Sequence, residues 1–209
     1  MRILQISLVT ILSTVLHVDK ITLGQNLMLF WKVPSRSRYL KDAVMEITDQ
    51  QDCGSNIRRI EQLLSCGVFE IGNSHNVLQP SAFIELVICL HDLLNKTEKI
   101  VKRISFTDDV RTNEYVHDIT DAVTAIRDAC CHINSYKRLF DDQGNRGSFL
   151  DIYGKGNLVK IGDLELKSDY EDDVAFFFGK NRLYINRHIV RAFKEAKVLL
   201  TPVPSNFPF

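Results

Sequence analysis

The sequence lacks an excess of either charge. Its 26 Lys and Arg balance 26 Asp and Glu, and the formal net charge at pH 7 is zero. No global charge therefore selects nucleic acid or a membrane surface as a partner, although opposite charges can still be segregated in space. Paired cysteines are missing too. Cys53, Cys66, Cys89, Cys130 and Cys131 are odd in number and form no CxxC unit, which excludes the usual zinc-ligand spacing. They read as free thiols of a reducing compartment. There is no internal repeat, no low-complexity tract and no GxxxxGK[ST] phosphate loop. The run Tyr153-Gly154-Lys155-Gly156-Asn157 has two glycines and a lysine, but it lies between strand-like segments and reads as a turn. The acidic group Asp169, Glu171, Asp172 and Asp173 has neither EF-hand spacing nor a histidine partner. It reads as a solvated loop. No metal and no cofactor are expected.

What is present suits a folded chain. At 209 residues, 45% hydrophobic and 25% charged, it can bury a core without metals or disulfides. Residues 3–18 are almost all apolar and follow a single charge, Arg2. This run has the length of a secretory signal core and is short for a membrane span. No small-x-small cleavage site follows it. A buried strand or helix, or a true start at Met28, are the alternatives. The expected location is cytoplasmic, with secretion or membrane tethering through residues 1–24 as the alternative. The sequon Asn95-Lys96-Thr97 falls inside a helical pattern and reads as chance.

Periodicity divides the chain. Helical spacing predicts helices over 36–50 and 55–66, the second capped by Ser55. Turn residues fill 67–80. Ser81 then caps a longer helix whose stripe includes Phe83, Ile84, Val87, Ile88, Leu90, Leu93 and Leu94, and which extends towards Ile104. A further helix starts near Asp118 or Thr120 and runs through Ala122, Val123, Ile126, Ala129, Cys130 and Ile133 towards Leu139 or Phe140. After residue 140 the period changes to two. A hairpin is expected from 149–153 and 158–161, and a second from 174–178 and 182–185. A basic helix at about 187–200 closes the fold, followed by a Pro-rich tail. The expected class is α+β: an N-terminal helical bundle, two β-hairpins and a C-terminal helix. By domain, this gives a hydrophobic segment 1–27 and one domain 28–209, with a helical part 36–140 and a hairpin and helix part 148–200.

Two groups of residues carry candidate chemistry. On the C-terminal helix Arg187, Arg191 and Lys194 fall roughly on one face, where they would meet RNA phosphates or simply face solvent. The richer group is Arg127-Asp128-Ala129-Cys130-Cys131-His132. Asp128 and His132 are four apart and share a helix face, so the carboxylate would orient the imidazole and fix its tautomer. Arg127 would reach a phosphate in the same cleft. A histidine base and a guanidinium suffice for metal-free RNA cleavage by 2′-OH attack. Arg111/His117 and Arg182/His188 have comparable spacing.

The stretch AIRDACCHINSYKRLF resembles the motif helix of the HEPN superfamily of helical bundles, in which an Arg followed by a polar residue precedes a His by four to six positions. FIELVICLHDLLNKTEKIVKRI is similar to the long helix that packs against it. The resemblance covers roughly residues 36–140. It implies a metal-independent endoribonuclease, a toxin or defence effector, working as a homodimer whose paired Arg and His line one cleft. His132 would be catalytic, Arg127 would bind phosphate and Asp128 would support them. The partners implied are RNA, a second copy, and an antitoxin or other protein; there is no DNA-specific motif. The alternative is a non-catalytic HEPN-like module that binds a protein partner.

Overall fold

The computed structural model describes residues 47–201, apart from His75, Asp142, Gly162 and Asp163. The apolar run 3–18, the first eleven residues of the helix expected over 36–50 and most of the Pro-rich tail lie outside the described residues. Those described hold four α-helices and five strands in two small antiparallel sheets. The order matches the expected α+β class: helices first, then strands, then a C-terminal helix. No described helix is long and apolar enough to cross a membrane.

Helix α1 (Ile47–Ser65) is continuous where two helices were expected. Gly54 sits inside it without breaking it, because Cys53 and Ile60, seven residues apart, bury on one face. Helix α2 (Gln79–Ile100) begins two residues before the expected Ser81 cap. Pro80 occupies the first turn, where its missing N–H costs nothing, and the Asn76 side chain accepts from the Leu78 N–H ahead of it. Helix α2 stops at Ile100, short of Ile104, where the Thr97 carbonyl accepts from both Val101 and Lys102.

Helix α3 (Ile119–Cys131) starts where expected, with Asp118 accepting from the Asp121 N–H at 2.9 Å. It ends earlier than expected. Ile133 is exposed, so continuing the helix would bury nothing. Asn134 and Ser135 favour turns, and Ser135 caps a 3₁₀ turn at Tyr136–Arg138.

Strands β1 (Leu150–Tyr153), β4 (Val174–Phe178) and β5 (Asn181–Tyr184) form one sheet in the order β1-β4-β5, and β2 (Gly156–Ile161) pairs with β3 (Leu164–Ser168). The second expected hairpin is present as β4–β5. The first is not: β1 pairs with β4, and β2 pairs forward with β3. Gly154, at φ 73°, donates its N–H to the Asp173 carbonyl. That bond prolongs the β1–β4 pairing and turns the chain away from β1.

Strand β4 is buried along its whole length. Val174, Phe176 and Phe178 pack with the helices, while Ala175 and Phe177 join Ile152, Leu166 and Tyr184 in a second core. Phe83 of α2 stacks on Phe176 with ring centroids 4.1 Å apart. Helix α4 (Arg191–Leu200), entered through a π-helical turn at Ile185–Val190, lays Ala192, Phe193 and Ala196 into the first core.

The β4–β5 turn presses on the segment after α3. At Gly179, φ is 56°, and a Cβ would lie 2.7 Å from the Arg138 carbonyl carbon and the Leu139 oxygen. Gly179→Ala should therefore cost about 2–4 kcal/mol through backbone strain and steric displacement of residues 137–139. Urea unfolding of the two proteins measures this, and an unchanged midpoint would contradict the packing described.

Candidate functional site

Arg127 and Asp128 lie in the last two turns of α3, and His132 follows its end. Arg127 donates from Nη1 to Asp128 Oδ1 at 2.8 Å. No other hydrogen bond of this guanidinium is made among the described residues. A guanidinium has five N–H donors, and Arg127 keeps 32% of its side chain exposed. The other Asp128 oxygen accepts from Lys137 Nζ at 2.5 Å. Burial pushes the Asp128 carboxyl up, but Lys137 and Arg127 outweigh it, and the group ends below its ordinary value.

His132 therefore does not take its orientation from Asp128. Both carboxylate oxygens are occupied by cations, and His132 has left the helix, with φ −122° and ψ 103°. Its backbone N–H still donates to the Asp128 carbonyl at 3.0 Å. The imidazole is exposed and has no hydrogen-bond partner among the described residues. Arg127 thus sits within the last turns of α3, and His132 stands one residue beyond its end, in extended backbone.

Two neighbours were not singled out in the sequence. Lys137 was expected to continue the helix, where it would not meet Asp128; the 3₁₀ turn brings it back. His91 of α2 is buried among apolar residues and carries Asn95 against its ring at 3.1 Å. Burial, then the charge of Arg127, pushes its pKa down. A histidine inside the stripe Val87, Leu90, Leu94 was the available signal for it.

The competing Arg/His pairs are differently placed. Arg182 is buried, donating to the Lys167 carbonyl at 2.9 Å and the Asp109 carbonyl at 3.3 Å. His188 is fully buried. Its Nδ1 accepts from the Tyr184 N–H at 3.1 Å and its Nε2 faces the Asp108 carbonyl at 3.2 Å, a pattern met by the neutral ring with its proton on Nε2. Arg111 lies over the Phe177 ring and donates to the Glu165 carbonyl, and His117 pairs with Asp121.

The basic face expected on the last helix is largely neutralised. Arg187 pairs with Asp172 and Asp173 and covers the Tyr170 ring at 3.5 Å. Arg191 pairs with Asp108 and Glu195 and covers Phe106. Of the three, Lys194 alone is exposed without an ion pair among the described residues. The acidic loop is not simply solvated: Asp173 is fully buried and accepts from the Asn186 and Arg187 N–H groups, capping the π-helical turn. Among the described residues no three His, Cys, Asp or Glu converge as metal ligands. Compared with models of protein families, with curated proteins and with solved structures, the chain matches none.

Burial pushes His188 down to about 4. The unfolded chain takes up this proton near 6.5, so between those values it holds a proton the folded protein refuses. Stability present at pH 7 is therefore lost as pH falls, by roughly 2 kcal/mol at pH 5 from this residue alone. Urea midpoints at the two pH values measure the loss. NMR should show the His188 ring still neutral at pH 5. A ring that titrates near 6.5 would contradict its assignment as a structural histidine.

Proposed function

We propose that the chain is a HEPN-like, metal-independent endoribonuclease acting as a homodimer. One observation carries the reading. Of the three Arg/His pairs with suitable spacing, Arg127/His132 alone combines an unpartnered histidine ring with a guanidinium that has donors to spare. The others are tied into the fold.

In this reading His132 removes the proton from a ribose 2′-OH, whose oxygen attacks the adjacent phosphorus. Arg127 stabilises the charge that builds on the phosphate oxygens. The departing 5′ oxygen takes a proton from His132 of a second copy, leaving a 2′,3′-cyclic phosphate and a 5′-hydroxyl. Asp128 positions Arg127 rather than the imidazole, and Lys137 keeps Asp128 ionised. In this reading a second copy completes the site, with the arginine of one chain facing the histidine of the other.

Arg187 and Arg191 favour a second reading. Their pairing with acids, together with the zero net charge, leaves little basic surface for RNA and suits a non-catalytic HEPN-like module bound to a protein partner. The two readings separate on one assay. The nuclease should cleave unstructured RNA in EDTA at an unchanged rate. His132→Ala should slow it by about 10²–10⁴, and Arg127→Lys should lose about 10² or more. Wild-type rates from His132→Ala would overturn the nuclease reading. A chain that never cuts RNA but co-purifies with a stable protein partner would support the module.

A further inference from the structure

We propose that Tyr136 and Tyr115, flanked by Lys180, form a stacking subsite for a base of single-stranded RNA beside Arg127 and His132. The subsite deepens the ribonuclease reading and rests on it for its purpose, though RNA can bind there whether or not it is cut.

Tyr136 stands four residues beyond His132, in the 3₁₀ turn, and is 57% exposed. Its ring meets that of Tyr115 edge to face, with centroids 5.5 Å apart and planes at 88°. An edge-to-face pair with one member this exposed leaves ring surface open for a third aromatic. The two tyrosines and Lys180 line a cavity of about 90 Å³. Lys180 Nζ lies 5.3 Å from the Tyr115 centroid, and Lys137 Nζ lies 6.0 Å from both rings. Lys137 also holds Asp128, the residue that holds Arg127. The aromatic pair and the phosphate clamp thus share one lysine.

The platform is built before any ligand arrives. Asn181, itself buried, donates from Nδ2 to the Lys137 carbonyl at 3.0 Å and to the Tyr115 hydroxyl at 3.4 Å. Little ordering then remains to be done on binding. Cations flank it: Lys180 faces the exposed Glu114 at 3.5 Å, a loose contact that a phosphate can displace. Arg146 donates to the Ile133 carbonyl at 2.9 Å, which sets its guanidinium against the turn carrying His132. Two carboxylates, Glu114 and Asp141, line the same cavity, and Asp141 accepts from the N–H groups of Gln143 and Asn145. Aromatic rings interleaved with lysine and arginine bind single strands, whose bases are free to stack; in a duplex the base faces are already covered.

The test uses the full chain carrying His132→Ala, so that RNA survives the titration, and a short unstructured fluorescein-labelled RNA read by anisotropy. Loss of one stacked base is worth about 5–150-fold in affinity. Tyr136→Ala should weaken binding by about tenfold or more, with an unchanged melting temperature. Tyr136→Phe should stay within about twofold, and the same RNA annealed to its complement should bind far more weakly. Equal affinity of Tyr136→Ala and its parent, or no saturable binding, overturns the subsite. Cleavage assays keep the two readings apart. An otherwise wild-type chain that cuts RNA with the same KM with and without Tyr136→Ala retains the nuclease and loses the subsite. A chain that binds RNA through Tyr136 but never cuts it does the reverse.

Discussion

Strand β4 is covered on both faces, and the rest of the structure depends on that. Its alternating side chains serve two cores: Val174, Phe176 and Phe178 meet the helices, and Ala175 and Phe177 meet the β2–β3 side. A strand alternates faces residue by residue, so a one-residue slip would exchange the two sets and leave phenylalanines where alanine fits. The Asp173 carboxylate pins the start of the strand by accepting from Asn186 and Arg187 across the sheet. Gly179 pins its end against residues 137–139. The candidate site hangs from that second anchor. Fixing β4 fixes the 3₁₀ turn, which delivers Lys137 to Asp128 and holds Tyr136 against Tyr115.

The parts legible in the sequence were those decided by local patterns. Asp118 marks the start of α3 because its side chain and the apolar spacing after it agree. The β4–β5 hairpin is legible because two short apolar runs, 174–178 and 182–185, flank the turn Gly179-Lys180-Asn181. The parts that were not legible depend on distant partners. The gap expected between the helices 36–50 and 55–66 is overridden by burial of Cys53 and Ile60 in the core shared with α2. The expected β1–β2 hairpin fails because Phe176 and Phe177 in β4 offer β1 a better partner than its neighbour does. At the site, Arg127, Asp128 and His132 were visible as a short motif. Extending α3 to residue 140 placed His132 on the helix and gave it Asp128 as a partner. The early stop at Cys131 removes that relation, and nothing near residue 128 announces Lys137.

The electrostatics sort the basic residues by role. Most arginines close ion pairs or cover aromatic rings: Arg103 with Asp118 and Asp121, Arg187 with Asp172 and Asp173, Arg191 with Asp108. These bind the surface of the fold together and leave few donors for a ligand. At the end of α3, Arg127 pairs with Asp128 through one nitrogen only and keeps donors to spare. The proposed site is thus small and local, consistent with a chain of zero net charge.

The proposal that His132 and Arg127 drive attack of a ribose 2′-OH without metal is tested by the chemistry of the cut. An RNA with a single 2′-deoxy residue placed 5′ of the preferred cleavage position should resist the protein in EDTA. The all-ribo strand should yield a 2′,3′-cyclic phosphate and a 5′-hydroxyl by mass spectrometry. Cleavage of the 2′-deoxy strand at an equal rate, or products bearing a 5′-phosphate, would contradict the account.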